Sequence, residues 1–286
     1  MQKIAVLLTC HNRREKTTNC LNSLFACQMP SNHKFDVFLV DDDSTDGTAN
    51  SIKARFPQVK IIHGNGNLYW AGGMRLAWNF ALQNDDFNAF LLLNDDVVIL
   101  KDCLVNLVNT HFFSLSNTGK SGVYVGSTKD NNTHEVSYGG RIITKNHLLM
   151  RSKLIIPSKF PQVCHFANAN ILWISKEVVE QIGIFDIKFT HGIADFDYTL
   201  TAYENKIPLW VAPEIGGICQ DDHGNNWLPS KVSLNKRIEY LKSPKGLAYH
   251  EYLYYIRKHF PLFYPHSLIS LWLRTLAPVL FDQYKK

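Results

Sequence analysis

Carboxylates gather at two points early in the chain. Val40-Asp41-Asp42-Asp43-Ser44-Thr45-Asp46-Gly47-Thr48 sets three successive aspartates before a polar turn, and Leu93-Asn94-Asp95-Asp96-Val97 sets an acidic pair behind an apolar run. Adjacent carboxylates repel, and the repulsion is relieved when a divalent cation or hydrogen-bond donors share the charge. Oxygen donors of this kind suit Mg2+ or Mn2+, which often bridge to substrate phosphates. Turn and cap chemistry accounts for Ser44 to Gly47, but a cap needs one aspartate, not three. Two further carboxylates, Asp195 and Asp197, open a helical pattern. Spaced two apart they diverge by about 200° on a helix, so they do not share one role. On its own, Asp195 also reads as a helix N-cap.

The elements that hold these groups are legible as an alternation. Ile4 to Thr9 is a short apolar run suited to a buried parallel strand, and Cys20, Leu21, Leu24 and Cys27 follow at helical spacing. Phe35 to Val40 predicts a second strand, Ile52 and Phe56 a short helix ended by Pro57, and Val59 to His63 a third strand. Met74, Ala77, Trp78 and Ala81 share one helix face before a fourth strand at Ala89 to Leu93. Strands interleaved with helices imply a parallel sheet with right-handed crossovers, and such sheets bind ligands at the carboxyl ends of their strands, where both acidic clusters fall. Residues 121 to 151 read as short strands and turns, Phe166 to Ile174 as one apolar stretch, Lys176 to Ile182 and Asp195 to Tyr203 as helices, and Leu209 to Ala212 as a strand.

Composition narrows the class. Of 286 residues 45% are hydrophobic and 19% charged, which excludes a disordered chain. A formal charge of +5 favours anionic ligands such as nucleotides and is too weak to imply nucleic acid. The six cysteines form no CxxC pair and are expected as reduced thiols in a cytosolic setting. The first apolar run is too short for a signal peptide, and no stretch of about 18 apolar residues predicts a spanning helix. Gly64-Asn65-Gly66-Asn67 and Gly72-Gly73 match neither the phosphate loop nor the dinucleotide fingerprint, which disfavours a Rossmann dehydrogenase. A phospho-receiver domain would need an acidic pair where this chain has Cys10-His11-Asn12-Arg13.

Taken in order, these segments resemble an inverting family 2 glycosyltransferase, closest to the rhamnosyltransferase-like members of bacterial polysaccharide synthesis, from Ile4 to about Trp227. The resemblance implies a GT-A fold of the α/β class: a Rossmann-like, mostly parallel central sheet with flanking helices and a helical C-terminal region. Thr9-Cys10-His11-Asn12-Arg13 is similar to the family's first-strand segment, which places Thr9, Asn12 and Arg13 at the donor base. The stretch from Val40 to Thr48 is similar to "VDDGSTDGT", with Asp43 in place of glycine; the match sets Asp42, with Asp41 beside it, on the base or ribose. Asn65 to Arg75 resembles the loop and helix start beneath the donor, which brings Asn67, Gly72, Gly73 and Arg75 toward the diphosphate. Asn94-Asp95-Asp96 is similar to the DxD motif, with Asn94 replacing the first aspartate; Asp96 becomes the metal ligand, Asn94 and Asp95 its support. His191-Gly192-Ile193-Ala194-Asp195-Phe196-Asp197 resembles the segment relatives write "GEDVDL", with Ala194 for glutamate and Asp195 as catalytic base. Asp221-Asp222-His223-Gly224 resembles the late histidine segment, with His223 near metal or leaving diphosphate.

The expected reaction is direct displacement at an anomeric carbon, from a nucleotide-diphosphate sugar to a saccharide or lipid-linked saccharide, assisted by Mn2+ or Mg2+. The competing readings are a nucleotide-sugar-binding protein without turnover and a sugar nucleotidyltransferase, whose usual glycine-rich basic loop is missing. Residues 1–228 are expected to form the catalytic domain and 229–286 a helical region. The latter, rich in aromatic and basic residues, is expected to pack on the catalytic domain or on a second copy in a homo-oligomer, with a helix lying on the inner face of the cell membrane as the alternative. The expected location is cytoplasmic.

Overall fold

The structure, a computed structural model, describes residues 1–146, 149–221 and 227–282. The first half alternates as the periodicity predicts: β1 (Gln2–Cys10), α1 (Arg14–Ala26), β2 (His33–Asp41), α2 (Thr48–Arg55), β3 (Lys60–His63), α3 (Tyr69–Asn84) and β4 (Ala89–Leu93). β4, β1, β2 and β3 lie side by side and parallel, with Cys10 level with Asp41 and Asp41 level with His63. β1 is buried on both faces. Ala5 and Leu7 pack with Met74, Ala77 and Trp78 of α3, while Ile4, Val6 and Leu8 pack with Cys20, Leu21 and Leu24 of α1. This two-sided burial is why its sequence is a continuous apolar run instead of an alternating one.

Beyond β4 come β5 (Val98–Ile99), α4 (Cys103–Thr118), β6 (Val123–Lys129), β7 (Val136–Tyr138), β8 (Gly140–Asn146), β9 (Leu149–Leu154), β10 (Gln162–Val163), β11 (Phe166–Ala167), β12 (Ile171–Ser175), α5 (Lys176–Ile182), α6 (Ala194–Glu204) and β13 (Leu209–Ile218). The main sheet among the described residues runs β10-β13-β6-β12-β4-β1-β2-β3, and β11, β8 and β9 form a small second sheet. The first four strands are parallel, as the alternation implied, and the strands beyond them make the whole sheet mixed. β12 is antiparallel to both β4 and β6 and sits between them, while β6 and β13 are parallel. The apolar stretch from Phe166 to Ile174 therefore divides into two strands in different sheets, with residues 168–170 between them.

The C-terminal helices are α7 (Leu234–Lys242), α8 (Tyr249–His259), α9 (Tyr264–Leu276) and α10 (Val279–Asp282). Tyr255 and Ile256 of α8 belong to the same buried cluster as Trp78 and Tyr198. Polar ties reinforce the contact. Lys258 Nζ donates to both Asp197 oxygens at 2.8 and 2.9 Å, and the buried His259 ring bridges Asp197 (2.8 Å) and Glu204 (2.9 Å). Among the described residues no helix is long and apolar enough to cross a membrane.

Candidate functional site

Parallel neighbours end on one edge, so the residues following β1, β2 and β4 meet there. Asp41, buried at the end of β2, accepts Ser44 N–H at 3.1 Å. Asp42 turns toward the loop that precedes α3, where its oxygens accept Gly66 N–H (2.8 Å) and Leu68 N–H (2.9 Å). Gly66 has φ +79°, and at Gly64 a Cβ would collide with the Asp42 carboxylate, so the loop needs glycine at both points. Asn12 N–H donates to Ser44 Oγ (2.8 Å), and Asn12 Oδ1 accepts Thr45 N–H (2.8 Å). Asp46 takes the first N–H of α1 and the first of α2, from Arg14 and Thr48, both at 3.0 Å. Its bonds to Thr48, hydroxyl first, hold its carboxyl below the usual range. Residues 43–48 thus fasten two helix starts to the tip of β1.

At the end of β4, Asn94 N–H donates to Asn170 O (3.0 Å) and Asn94 Oδ1 accepts the Trp70 indole N–H (2.8 Å). Asp95 points inward, where Arg13 Nη1 (2.9 Å) and Thr17 Oγ1 (3.1 Å) donate to it. Burial pushes its carboxyl up to about 6, against the opposing charge of Arg13. Asp96 points outward. Its Oδ2 accepts Arg13 Nη1 at 3.1 Å, with Lys16 Nζ at 3.9 Å, and the Cys219 thiol lies 3.7 Å from Oδ1.

Asp195 arrives from the opposite wall, in the first turn of α6. Ala169 N–H donates to its Oδ2 (3.1 Å) and Phe196 N–H to its Oδ1 (2.8 Å). β12 explains the encounter. Its antiparallel course sets Ile171 level with Leu93, which puts residues 168–170 at the same edge as Asn94, and Thr199 pins α6 to Ala167 (3.0 Å). Asp197 faces the other way, into the Lys258 and His259 contacts, as the helical spacing required.

The result is an open cleft of about 540 Å³. Thr9, Arg13, Asp42, Asn94, Asp96 and Asp195 line it, six of the residues singled out from the sequence. Asn12, Asp41 and Asp95 stand behind the wall in the contacts given above. Asn67 is exposed and pairs with Asn65 (3.0 Å). Gly72 and Gly73 are buried within α3; at Gly73 a Cβ would overlap the Thr9 hydroxyl, so that glycine lets α3 close on β1. Arg75 points away from the cleft and donates to the carbonyls of Phe189 (2.6 Å) and Asp186 (3.1 Å). His223 lies outside the described residues.

The cleft also gathers His11, Tyr69, Trp70 and His191, which stand inside the motif segments without a role of their own, Asn168 and Asn170, from the stretch the resemblance sets on the acceptor side, and Tyr138, Cys219 and Lys245, to which sequence reasoning gave no role. Lys245, whose ammonium lies 5.7 Å from the centre of the Tyr69 ring, comes from beyond the region of the motifs and carried no local signal.

Among the described residues no group of three or more His, Cys, Asp or Glu side chains could hold a metal ion. Asp96 alone offers an outward carboxylate at the motif. That donor set fits a Mg2+ or Mn2+ ion bound by one carboxylate and otherwise by substrate phosphates and water.

TarS 1-349 of S. aureus superposes with a TM-score of 0.52 at 21% identity, over 77% of this chain and 60% of that one. The same protein in complex with UDP-GlcNAc gives 0.55 at 17% identity, over 96% and 74%. The mannosyltransferase PcManGT from Pyrobaculum calidifontis, in complex with GDP-Man and Mn2+, gives 0.55 at 14% identity, over 96% and 70%. At these identities the likeness concerns the fold, an α/β GT-A arrangement with flanking and C-terminal helices. The chain spans 60% and 37% of the length of the first two TarS chains it matches. No curated protein sequence matches it. Residues 5–183, well over half of the chain and including the ends of β1, β2, β4 and β12, match Glycosyl transferase family 2, and the chain belongs to that family.

Proposed function

We propose that this protein transfers a sugar from a nucleotide-diphosphate sugar to an acceptor hydroxyl with inversion at the anomeric carbon. The observation that carries the reading is the convergence of Asp42, Asp96 and Asp195, far apart in sequence, on one cleft. Asp195 takes the hydroxyl proton as the new C–O bond forms and the bond from the anomeric carbon to the diphosphate oxygen breaks. The Ala169 and Phe196 backbone N–H donors orient its carboxylate at the cleft for that proton. Arg13 and Lys16, both close to Asp96, supply positive charge at the leaving-group side. Asp96 is the residue that would hold Mn2+ or Mg2+, which when bound neutralises the departing diphosphate.

Asp195→Asn should lower kcat by about 10²–10⁴-fold, with nucleoside diphosphate affinity unchanged by calorimetry; near-native turnover would remove Asp195 from the role of base. Excess EDTA should abolish transfer and Mn2+ or Mg2+ restore it; full turnover in chelator would remove the metal.

The resemblance to rhamnosyltransferase-like proteins supports a donor of that type and a place in cell-envelope polysaccharide synthesis. A thermal-shift screen of nucleotide sugars with and without Mn2+ tests the donor, because only a ligand that prefers the folded state raises Tm. Residues 1–228 are proposed as the catalytic unit and 229–286 as an adjunct acting on the cytoplasmic side of the membrane. Exposed Ile269, Leu273 and Leu276 on one flank of α9 support a peripheral membrane contact. Co-sedimentation with anionic liposomes, unchanged in an Ile269→Asp, Leu273→Asp double variant, would remove that contact.

A further inference from the structure

A second cavity of about 420 Å³ lies among α8, α9 and the segments at 193 and 246–247. Its position relative to the cleft is fixed by chain neighbours. Gly192 and Lys245 line the cleft, while Ile193 and Gly246, the next residue in each case, line this cavity. The two spaces thus share the peptide segments 192–193 and 245–246, and Asp195 follows Ile193 by two residues.

The lining is divided by chemistry. Tyr252, Ile256, Phe263 and Leu271 make an apolar side. His266, Ser267, Ser270 and Arg274 make a polar side, and their spacing puts them within about 100° on α9. α9 thus sends a cationic and hydroxylic stripe into a cavity while Ile269, Leu273 and Leu276 face solvent. Another apolar flank of α9, Leu268, Leu271 and Trp272, packs into the C-terminal core, so it is the polar stripe in the cavity that needs a reason.

Arg274 supplies it. Its Nε is buried without a hydrogen-bond partner, and no carboxylate among the described residues pairs with it. The guanidinium lies 6.0 Å from the centre of the Trp227 ring and 5.9 Å from that of Phe281. Aromatic contacts of this kind hold the group by its face and leave its N–H edge for an acceptor. A buried guanidinium N–H without an acceptor is costly, and an anion that accepts from it and from neighbouring donors relieves the cost. A phosphate fits best, because its tetrahedral oxygens can meet an arginine fork and two serine hydroxyls from different directions, whereas a planar carboxylate satisfies the fork alone.

We infer that this cavity receives a phosphate group of the acceptor, Arg274 and the His266, Ser267 and Ser270 stripe taking the anion and the apolar side taking the hydrocarbon attached to it. The inference rests on the proposed transfer reaction for the word acceptor, and on the cavity alone for the phosphate.

The test is calorimetric titration of the full chain with decyl phosphate, inorganic phosphate, decanol and a nucleoside diphosphate. Decyl phosphate should bind saturably, and more tightly than either inorganic phosphate or decanol. It should still bind when the nucleoside diphosphate is saturating. Arg274→Gln should weaken decyl phosphate at least about tenfold, Arg274→Lys less, and neither should change nucleoside diphosphate affinity or Tm by more than a small amount. Equal affinity of wild type and Arg274→Gln for decyl phosphate overturns the proposal. So does decanol binding as tightly as decyl phosphate, which leaves an apolar hole, or inorganic phosphate doing so, which leaves an anion site with no lipid. Mutually exclusive binding of the two ligands also overturns it. The two readings fail separately: Arg274-dependent decyl phosphate binding without nucleotide binding sinks the transferase reading and keeps the phosphate site. Nucleotide-sugar binding without decyl phosphate binding does the reverse.

Discussion

Arg13 shows how much one side chain does at the strand edge. It reaches a buried carboxylate, Asp95, and an outward one, Asp96, with the same nitrogen. Arg13→Met should cost about 1–3 kcal/mol of stability by leaving Asp95 buried without its cation; Arg13 is partly exposed, so solvent screening places the value toward the low end. Urea denaturation at pH 7 measures it. From the sequence, the resemblance set Asp96 as ligand and Asp95 as its support, but did not show that Asp95 turns inward. Which aspartate turns inward depends on Thr17 and Arg13, residues of another element, and no spacing rule reports that. Arg75 shows the same limit. Its position after a glycine pair suggested a diphosphate contact, yet the carbonyls of Asp186 and Phe189 lie closer, and those come from a loop more than a hundred residues later.

At the scale of elements, the Gly73 contact is the sharpest packing constraint at the site. Gly73→Ala should push α3 from the end of β1 and destabilise the protein by about 1–3 kcal/mol, read by chemical denaturation, with a weaker donor affinity because Thr9 moves with it. A second prediction concerns the loop between α5 and α6. Burial raises the Asp186 carboxyl, but the Lys188 N–H and the Tyr254 hydroxyl outweigh it and the net shift is downward. A carboxyl held low contributes stability above its unfolded range, and that contribution fades as pH falls through its folded value. Tyr254→Phe should therefore cost about 1 kcal/mol near neutrality, with the deficit shrinking below the ordinary carboxylate range; a deficit that is flat with pH would detach Tyr254 from Asp186. The elements of the first half were legible because a two-sided core and helical faces leave strong periodic traces. The antiparallel placement of β12 was not, since a strand buried on both faces reads alike in either direction.

For the whole molecule, the C-terminal helices and the sheet share one buried cluster, and Lys258 and His259 grip the helix that carries Asp195. Removing residues 229–286 should expose the Tyr198 face and leave Asp197 without two partners. The expected outcome is an insoluble or molten product, recognised by loss of near-ultraviolet circular dichroism; a shortened chain with native Tm would show that the helices are dispensable. The GT-A architecture was readable from the separated motifs, but this attachment was not, because its residues have no pattern apart from the fold that brings them together. The β12 insertion also fixes an order of events during synthesis. β4 offers one unsatisfied edge until residues 171–175 leave the ribosome, and β6 reaches the rest of the sheet only through that strand. A nascent chain stalled near residue 130 would carry a bare, wholly apolar margin, so chaperone occupancy should peak over that interval and fall once β12 has been translated.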